Sequence, residues 1–169
     1  AFRADAKIVR IDSQAKVVLT TSRIGARAED LCKRAPDLGT LQWLSTDDIS
    51  LDLAEQWRNP GVSPETLTLL QYTSGSTGTP RGVMVTQSNL LHNSASIQRV
   101  FGFTTESMGV TWLPHYHDMG LIGGLLQPVY VGCPSVVMSP AAFLQRPIRW
   151  LNAITRYRAT GIVAPNFAY

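Results

Sequence analysis

A run of glycines and hydroxyl residues near the middle of the chain has the composition of a phosphate-binding loop. Every residue from Thr73 to Thr79 is a glycine or carries a hydroxyl group, and Arg81 follows after one proline. Glycines let a ligand approach the main chain, and successive N–H groups can form a concave anion nest. Arg81 adds a permanent, forked positive charge. We therefore predict polyphosphate binding by this loop, through Thr73, Ser74, Gly75, Ser76, Thr77, Gly78 and Thr79, with Arg81 at its end.

The spacing of this loop differs from that of two well-known phosphate-binding motifs. A Walker loop needs a glycine, four residues and then Gly-Lys-Ser/Thr, whereas Gly75 and Gly78 are only three positions apart and no lysine is near. The dinucleotide fingerprint G-x-G-x-x-G is also missing. The alternative interpretation is a flexible turn between two strands.

A second polar cluster, Tyr116–Gly120, contains titratable side chains that could take part in catalysis. Two of the three histidines in the chain, His115 and His117, lie in or beside it. The order H-x-H-D is close to a metallo-hydrolase pattern, but Asp118 follows His117 directly and Gly120 stands where another ligand would help. The count and spacing therefore predict no metal site. The structural alternative is a turn at a strand end, in which His117 caps the following helix.

The order TSGSTGTPRG resembles the signature loop of the acyl-adenylate-forming superfamily. That superfamily includes acyl-CoA synthetases, luciferases, nonribosomal-peptide adenylation domains and fatty acyl-AMP ligases. Its loop holds the β- and γ-phosphates of ATP while a carboxylate attacks the α-phosphate. The superfamily usually ends the loop in lysine, and Arg81 keeps that positive charge.

The stretch WLPHYHDMGLIG is similar to the second core motif of fatty acyl-AMP ligases. In those enzymes an aromatic–histidine pair lines the channel between ATP and the carboxylate, which implies this role for Tyr116 and His117. The resemblance places Asp118, Met119 and Gly120 beside them. A neutral or protonated imidazole could hydrogen-bond the incoming carboxylate or the developing charge on the α-phosphate.

A third segment, Ala164–Tyr169 (APNFAY), is similar to the strand end that lines the acyl pocket of fatty acyl-AMP ligases. The resemblance implies that Asn166 and Phe167 line that pocket, whereas the alternative is an ordinary strand-to-helix turn. The chain departs from the family after the glycine loop, where Gln87 stands at a position that is often histidine.

Short apolar runs alternate with helical patterns along the chain. The predicted strands are 15–21, 40–44, 67–73, 82–86, 110–113, 135–138 and 160–164. The main predicted helices are 22–35, 88–101, 118–131 and a helix that Ser139-Pro140 opens and Pro147 restarts, which runs to residue 157. This alternation predicts an α/β fold with a doubly wound, mostly parallel sheet and flanking helices. Ligands of such sheets bind beyond the carboxyl ends of the strands, so we expect the glycine loop and the turns after Leu113 and Ala164 to converge.

The composition sets limits on the class of protein. With 169 residues, 44% of them hydrophobic, the chain can bury a core as one domain or a large part of one. The net charge of +3 comes from scattered basic residues, which argues against nucleic-acid binding. Cys32 and Cys133 are far apart and in no metal or redox spacing, which predicts reduced thiols in a cytoplasmic protein. The sequence predicts no transmembrane segment and no signal peptide.

The resemblance implies that residues 1–169 are part of the large AMP-binding domain of a fatty acyl-AMP ligase, with the small C-terminal domain outside this chain. Such an enzyme converts a fatty acid and ATP, with Mg²⁺, to acyl-AMP and pyrophosphate. It then passes the acyl group to the phosphopantetheine thiol of an acyl carrier protein or carrier domain, as in polyketide or lipopeptide biosynthesis. His117 and Arg81 are the expected catalytic residues.

Two kinds of alternative function remain open from the sequence. An acyl-CoA synthetase or an amino-acid adenylation domain would perform the same first step, and an amino-acid activator would need a carboxylate such as Asp118 to pair with the substrate ammonium. A non-catalytic nucleotide-binding or interaction module is the alternative outside enzymes.

Overall fold

The computed structural model of the chain describes residues 12–73 and 81–168. The chain divides into two compact units, Ala1–Thr86 and Gln87–Tyr169, which are described separately below. Among the described residues, no helix is both long and apolar enough to cross a lipid bilayer.

The first part of unit one is a small parallel strand pair with helices in its connection. Strand β1 (Val17–Thr20) pairs in parallel with β2 (Gln42–Ser45). Between them lie helices α1 (Ser22–Gly25) and α2 (Ala28–Arg34) and a 3₁₀ turn, Pro36–Thr40. The predicted single helix over 22–35 is therefore divided in two. A further 3₁₀ turn, Leu51–Gln56, follows in the loop-like connection.

The strands on either side of the glycine loop form an antiparallel hairpin. Strand β3 (Leu67–Thr73) pairs with β4 (Arg81–Thr86), and Thr73 lies opposite Arg81 at the end of the ladder. Both strands lie where the sequence predicts them, but they are not the parallel units expected from the alternation. Only residues 74–80 connect them, whereas a parallel crossover needs about a dozen residues or more.

Unit two is built around the short parallel pair of β5 (Gly109–Thr111) and β6 (Ser135–Val137). On the other side of β5, the predicted strand 160–164 is reduced to one parallel bridge between Gly109 and Gly161. The helices of this unit are α3 (Gln87–Phe101), a π-helix (Met119–Leu126), α4 (Gln127–Val131), α5 (Pro140–Gln145) and α6 (Ile148–Tyr157), with a final 3₁₀ turn, Asn166–Ala168. Parallel pairs connected through helices confirm the predicted α/β class.

An aromatic cluster forms the core of unit two. The Trp112 ring stacks on Phe143 with a centroid separation of 3.8 Å, and Trp150 meets both rings edge-on. These side chains pack with Val110 and Leu113, and all five are buried. The core therefore holds β5 and the two residues after it, which lead directly into the turn of the second motif.

Candidate active site

Unit one carries the base of the predicted phosphate loop at the end of the β3–β4 hairpin. Thr73 and Arg81 face each other across the ladder, and both are exposed. Ser74, Gly75, Ser76, Thr77, Gly78 and Thr79 lie outside the described residues, so their predicted role stays a prediction. The hairpin nevertheless brings the first and last predicted loop residues side by side.

Tyr72 stabilises this end of the hairpin through two contacts. Its ring covers Gly82 on the opposite strand so closely that a Cβ added to Gly82 would lie 3.0 Å from the ring carbon Cζ. Its hydroxyl donates to the Asp12 carboxylate at 2.5 Å. This hydrogen bond, with a smaller contribution from desolvation, raises the pKa of Tyr72 to about 12. The phenol therefore stays neutral and keeps its donor at physiological pH.

Unit two carries the second motif on a turn between β5 and the π-helix. The His117 N–H donates to the Pro114 carbonyl at 3.1 Å, and the His117 carbonyl accepts from the Leu121 N–H at 2.8 Å. Gly120 is buried because this turn folds back over it. A Cβ at that position would lie 2.1 Å from the Pro114 carbonyl oxygen, so only glycine fits there. The structure thus gives Gly120 a packing role within the motif.

The polar side chains of this motif contact one another and solvent. The Nδ1 atom of His117 lies 2.6 Å from Oδ1 of Asp118, and both side chains are more than half exposed. The same Asp118 oxygen accepts from the Met119 N–H at 2.6 Å and so caps the π-helix. Tyr116 is 78% exposed, and its ring meets His115 edge-on at 5.7 Å. Asp118, and not His117, is therefore the main helix cap.

The third predicted segment lies beside the second motif within unit two. The Phe167 ring is 6.1 Å from the Trp112 ring, and Trp112 precedes the motif turn by a few residues. Asn166 and Phe167 are both exposed and belong to the final 3₁₀ turn. The third segment therefore packs against the residue that leads into the second motif, and the predicted pocket role of Asn166 and Phe167 stays a prediction.

A cavity of about 240 Å³, which the sequence patterns did not predict, lies in unit two. Its walls come from the end of α3, from β5, from the π-helix and α4, and from residues 160–163, and most of the side chains are apolar. Gly123 and Gly124 of the π-helix both line it. A Cβ at Gly124 would contact the Thr111 side chain at 3.1 Å, whereas a Cβ at Gly123 would meet no heavy atom within 4 Å. The glycine pair inside an apolar helix was the sequence signal for this cavity.

The part of the chain that the structure describes holds no group of three or more His, Cys, Asp or Glu side chains that could bind a metal ion. That the H-x-H-D cluster is not a metal site stays a prediction. A Mg²⁺ ion bound mainly through substrate phosphates would need only one or two protein carboxylates.

Comparison with known proteins identifies the family. A family model described as AMP-binding enzyme matches residues 5–168. The medium-chain-fatty-acid–[acyl-carrier-protein] ligase JamA of Moorena producens is 46% identical over 162 residues, which cover 95% of this chain and 27% of JamA. The long-chain-fatty-acid–AMP ligase FadD23 of Mycobacterium tuberculosis is 40% identical over 173 residues, which cover 99% of this chain and 29% of FadD23.

A solved structure shares the fold as well. The fatty acyl-adenylate ligase from Legionella pneumophila, crystallised with acyl adenylate and pyrophosphate, matches with a TM-score of 0.83 and 38% identity, over 98% of this chain and 28% of the ligase. The chain thus spans less than a third of the length of each of these relatives. With nearly all of its residues matched by the family model, the chain belongs to the family of AMP-binding enzymes.

Proposed function

We propose that this chain is part of a fatty acyl-AMP ligase. The enzyme would convert a fatty acid and ATP to acyl-AMP and pyrophosphate, and then pass the acyl group to the phosphopantetheine thiol of an acyl carrier protein. The observation that carries the proposal is the apolar cavity, which shares the π-helix with the His117 turn. The names of the relatives JamA and FadD23 support both the fatty acid and the carrier protein.

The size and lining of the cavity suit an alkyl chain. An engineered apolar cavity of about 150 Å³ is large enough for benzene. The cavity here measures about 240 Å³ and is lined mostly by aliphatic and aromatic side chains, including Ile97, Phe101 and Val131. Burying an alkyl chain contributes about 0.8 kcal/mol per methylene. We assign the hydrocarbon part of the substrate to this cavity.

The proposed chemistry must bring together two anions, a carboxylate and a triphosphate. In unit one, the loop that starts at Thr73 and ends at Arg81 would bind the β- and γ-phosphates, so that Arg81 stabilises the departing pyrophosphate. In unit two, His117 and Tyr116 would orient the carboxylate for attack on the α-phosphate. Met119, Asn166 and Phe167 would line the path toward the alkyl chain.

The state of Asp118 favours a fatty acid over an amino acid. An amino-acid activator needs a carboxylate for the substrate ammonium. The Asp118 oxygen nearest the motif already accepts from the Met119 N–H and lies 2.6 Å from the His117 ring. An ammonium group would have to use the second oxygen, Oδ2, of a carboxylate whose charge is already shared with the His117 ring and the Met119 N–H, whereas an apolar chain needs no such partner.

The resemblance also implies Mg²⁺, which would neutralise the phosphate charge when bound. The exposed hydroxyl of Thr73 at the start of the phosphate loop is a group that could join the phosphates around such an ion. We propose no dedicated protein cage for it. The adenine- and ribose-binding segments and the small C-terminal domain are likewise proposed to lie elsewhere in the intact enzyme.

A pyrophosphate-exchange assay on the intact enzyme tests the proposal. We expect exchange of labelled pyrophosphate into ATP to depend on a fatty acid and to be absent with each of the common amino acids. Exchange that depends on an amino acid would assign the chain to an amino-acid activator. The absence of exchange with every acid, from protein that binds ATP, would favour the non-catalytic nucleotide-binding module.

A further inference from the structure

The contact between His117 and Asp118 determines which nitrogen of the imidazole is free. A carboxylate can only accept hydrogen bonds. The 2.6 Å separation between Nδ1 of His117 and Oδ1 of Asp118 therefore requires a proton on Nδ1. The Met119 N–H also approaches Nδ1 at 3.4 Å, where it would donate to an unprotonated ring nitrogen, but its much shorter bond to Asp118 at 2.6 Å makes the carboxylate its main acceptor.

Because Nδ1 of His117 is already hydrogen-bonded to Asp118, only Nε2 of the ring can hydrogen-bond an oxygen of the reactants. In the neutral ring this nitrogen carries a lone pair and would repel an anionic oxygen. In the imidazolium it carries a proton and donates a charge-assisted hydrogen bond, which is shorter and stronger than a neutral one. The carboxylate of Asp118 balances the charge of that imidazolium.

We propose that Asp118 is a positioning residue, which holds the Nδ1 proton of His117 so that the imidazolium donates from Nε2 to the anionic oxygens of the acid and the α-phosphate. This proposal deepens the function proposed above and rests on it for the identity of the reactants. Among the described residues, the charged and titratable groups near His117 are Asp118 and, beside the Tyr116 ring, His115. Of these, only Asp118 contacts the imidazole nitrogen.

The variant Asp118→Asn separates this role from helix capping. Asparagine caps helices as well as aspartate does, so the Met119 contact and the melting temperature should be kept. The amide is neutral, however, and can turn its NH₂ group toward Nδ1. The ring then loses the carboxylate that balances an imidazolium, and Nε2 donates only a neutral, weaker hydrogen bond. We expect the rate of fatty-acid-dependent exchange to fall about ten- to hundredfold, the scale on which partners that orient a histidine act elsewhere.

A double-mutant cycle in the intact enzyme then asks whether Asp118 acts through His117. The Asp118→Asn effect should largely vanish in a His117→Gln background, because neighbours that act as a unit are not additive. The matched control is Asp30→Asn, which removes an exposed carboxylate that forms an ion pair with Lys33 at 3.5 Å and should leave exchange unchanged. Full activity of Asp118→Asn would overturn the proposal, and so would an equal loss in both backgrounds.

A tautomer measurement tests the same proposal without any catalytic readout. Nitrogen NMR of the intact protein labelled with ¹⁵N-histidine should show His117 protonated at Nδ1, with the signal assigned from the His117→Gln variant. Asp118→Asn should move the proton to Nε2. A wild-type His117 protonated only at Nε2 would refute the positioning role, even if the enzyme adenylates fatty acids. The expected tautomer in a protein that lacks exchange activity would refute the proposed function alone.

Discussion

Replacing Gly123 by valine is expected to shorten the fatty acids that the enzyme accepts. Gly123 lines the apolar cavity, and a Cβ there would meet no heavy atom within 4 Å. The valine side chain should therefore extend into the cavity assigned to the alkyl chain without displacing protein atoms. It adds three carbon atoms, which exclude about three methylene-sized groups of the substrate.

The size of the effect follows from the burial of those groups. At about 0.8 kcal/mol per methylene, three excluded groups remove about 2.4 kcal/mol of binding. At about 1.4 kcal/mol per tenfold, the longest acids should lose about fiftyfold in kcat/KM. Acids too short to reach Gly123 should react as before, because nothing near the reacting carboxylate has changed.

The assay measures the rate of pyrophosphate exchange with a series of saturated fatty acids, from butyric to tetradecanoic acid, for the intact wild-type and Gly123→Val enzymes. The control is Val129→Ile, which enlarges a side chain that is 79% exposed and lies outside the cavity wall. A loss of equal size at every chain length would show that the valine disturbs folding or the reacting centre. An unchanged dependence of the exchange rate on chain length would show that the alkyl chain lies elsewhere.

Three further predictions concern the β3–β4 hairpin. Arg81→Ala should slow fatty-acid-dependent exchange about 10²- to 10³-fold, because the charge of Arg81 would act on the leaving pyrophosphate. Its melting temperature should be unchanged because Arg81 is exposed. Arg81→Lys, which keeps the positive charge, should keep most of the rate. Gly82→Val should lower the free energy of unfolding in urea by about 1–3 kcal/mol through its clash with the Tyr72 ring, and a neutral result would mean that the ring moves aside. The Tyr72 phenol, with its pKa raised to about 12, should stay protonated well above pH 10. Its hydrogen bond therefore contributes stability in full below pH 10, and that contribution is lost as the pH rises through about 12. The ultraviolet titration of the wild type minus that of Tyr72→Phe should show a single ionisation near pH 12, and an ionisation near pH 10 would contradict the assignment.

The strands and their motifs were largely predictable, because the signals that specify them are local. The apolar run of β3 and the Ser139-Pro140 helix start both appear where the sequence predicts them. Whether two strands pair in parallel depends on the length of their connection as well as on the apolar pattern. The parallel arrangement of β3 and β4 was expected from the alternation of strands and helices alone, without regard to that length. Here the short span of residues 74–80 was the better guide.

The cavity and the His117–Asp118 contact could not be read from sequence in the same way. The cavity walls come from segments as far apart as Ile97 and Val163, so its volume depends on how they pack. The predicted helix over 118–131 is present, but its first half is a π-helix, in which Gly120 and Gly124 admit the Pro114 carbonyl and the Thr111 side chain. Such close approaches are tertiary contacts that a helical pattern does not encode.

Detection of the acyl adenylate itself tests most directly whether the protein activates fatty acids. The intact enzyme is incubated with ATP, Mg²⁺ and a medium-chain fatty acid, the products are identified by mass spectrometry, and a phosphopantetheinylated carrier protein and CoA are then added together at equal concentration. We predict that acyl-AMP and pyrophosphate accumulate, and that acyl-carrier protein then forms in preference to acyl-CoA. Efficient formation of acyl-CoA would assign the protein to the acyl-CoA synthetases, and the absence of any acyl-AMP from active, ATP-binding protein would contradict the proposed function.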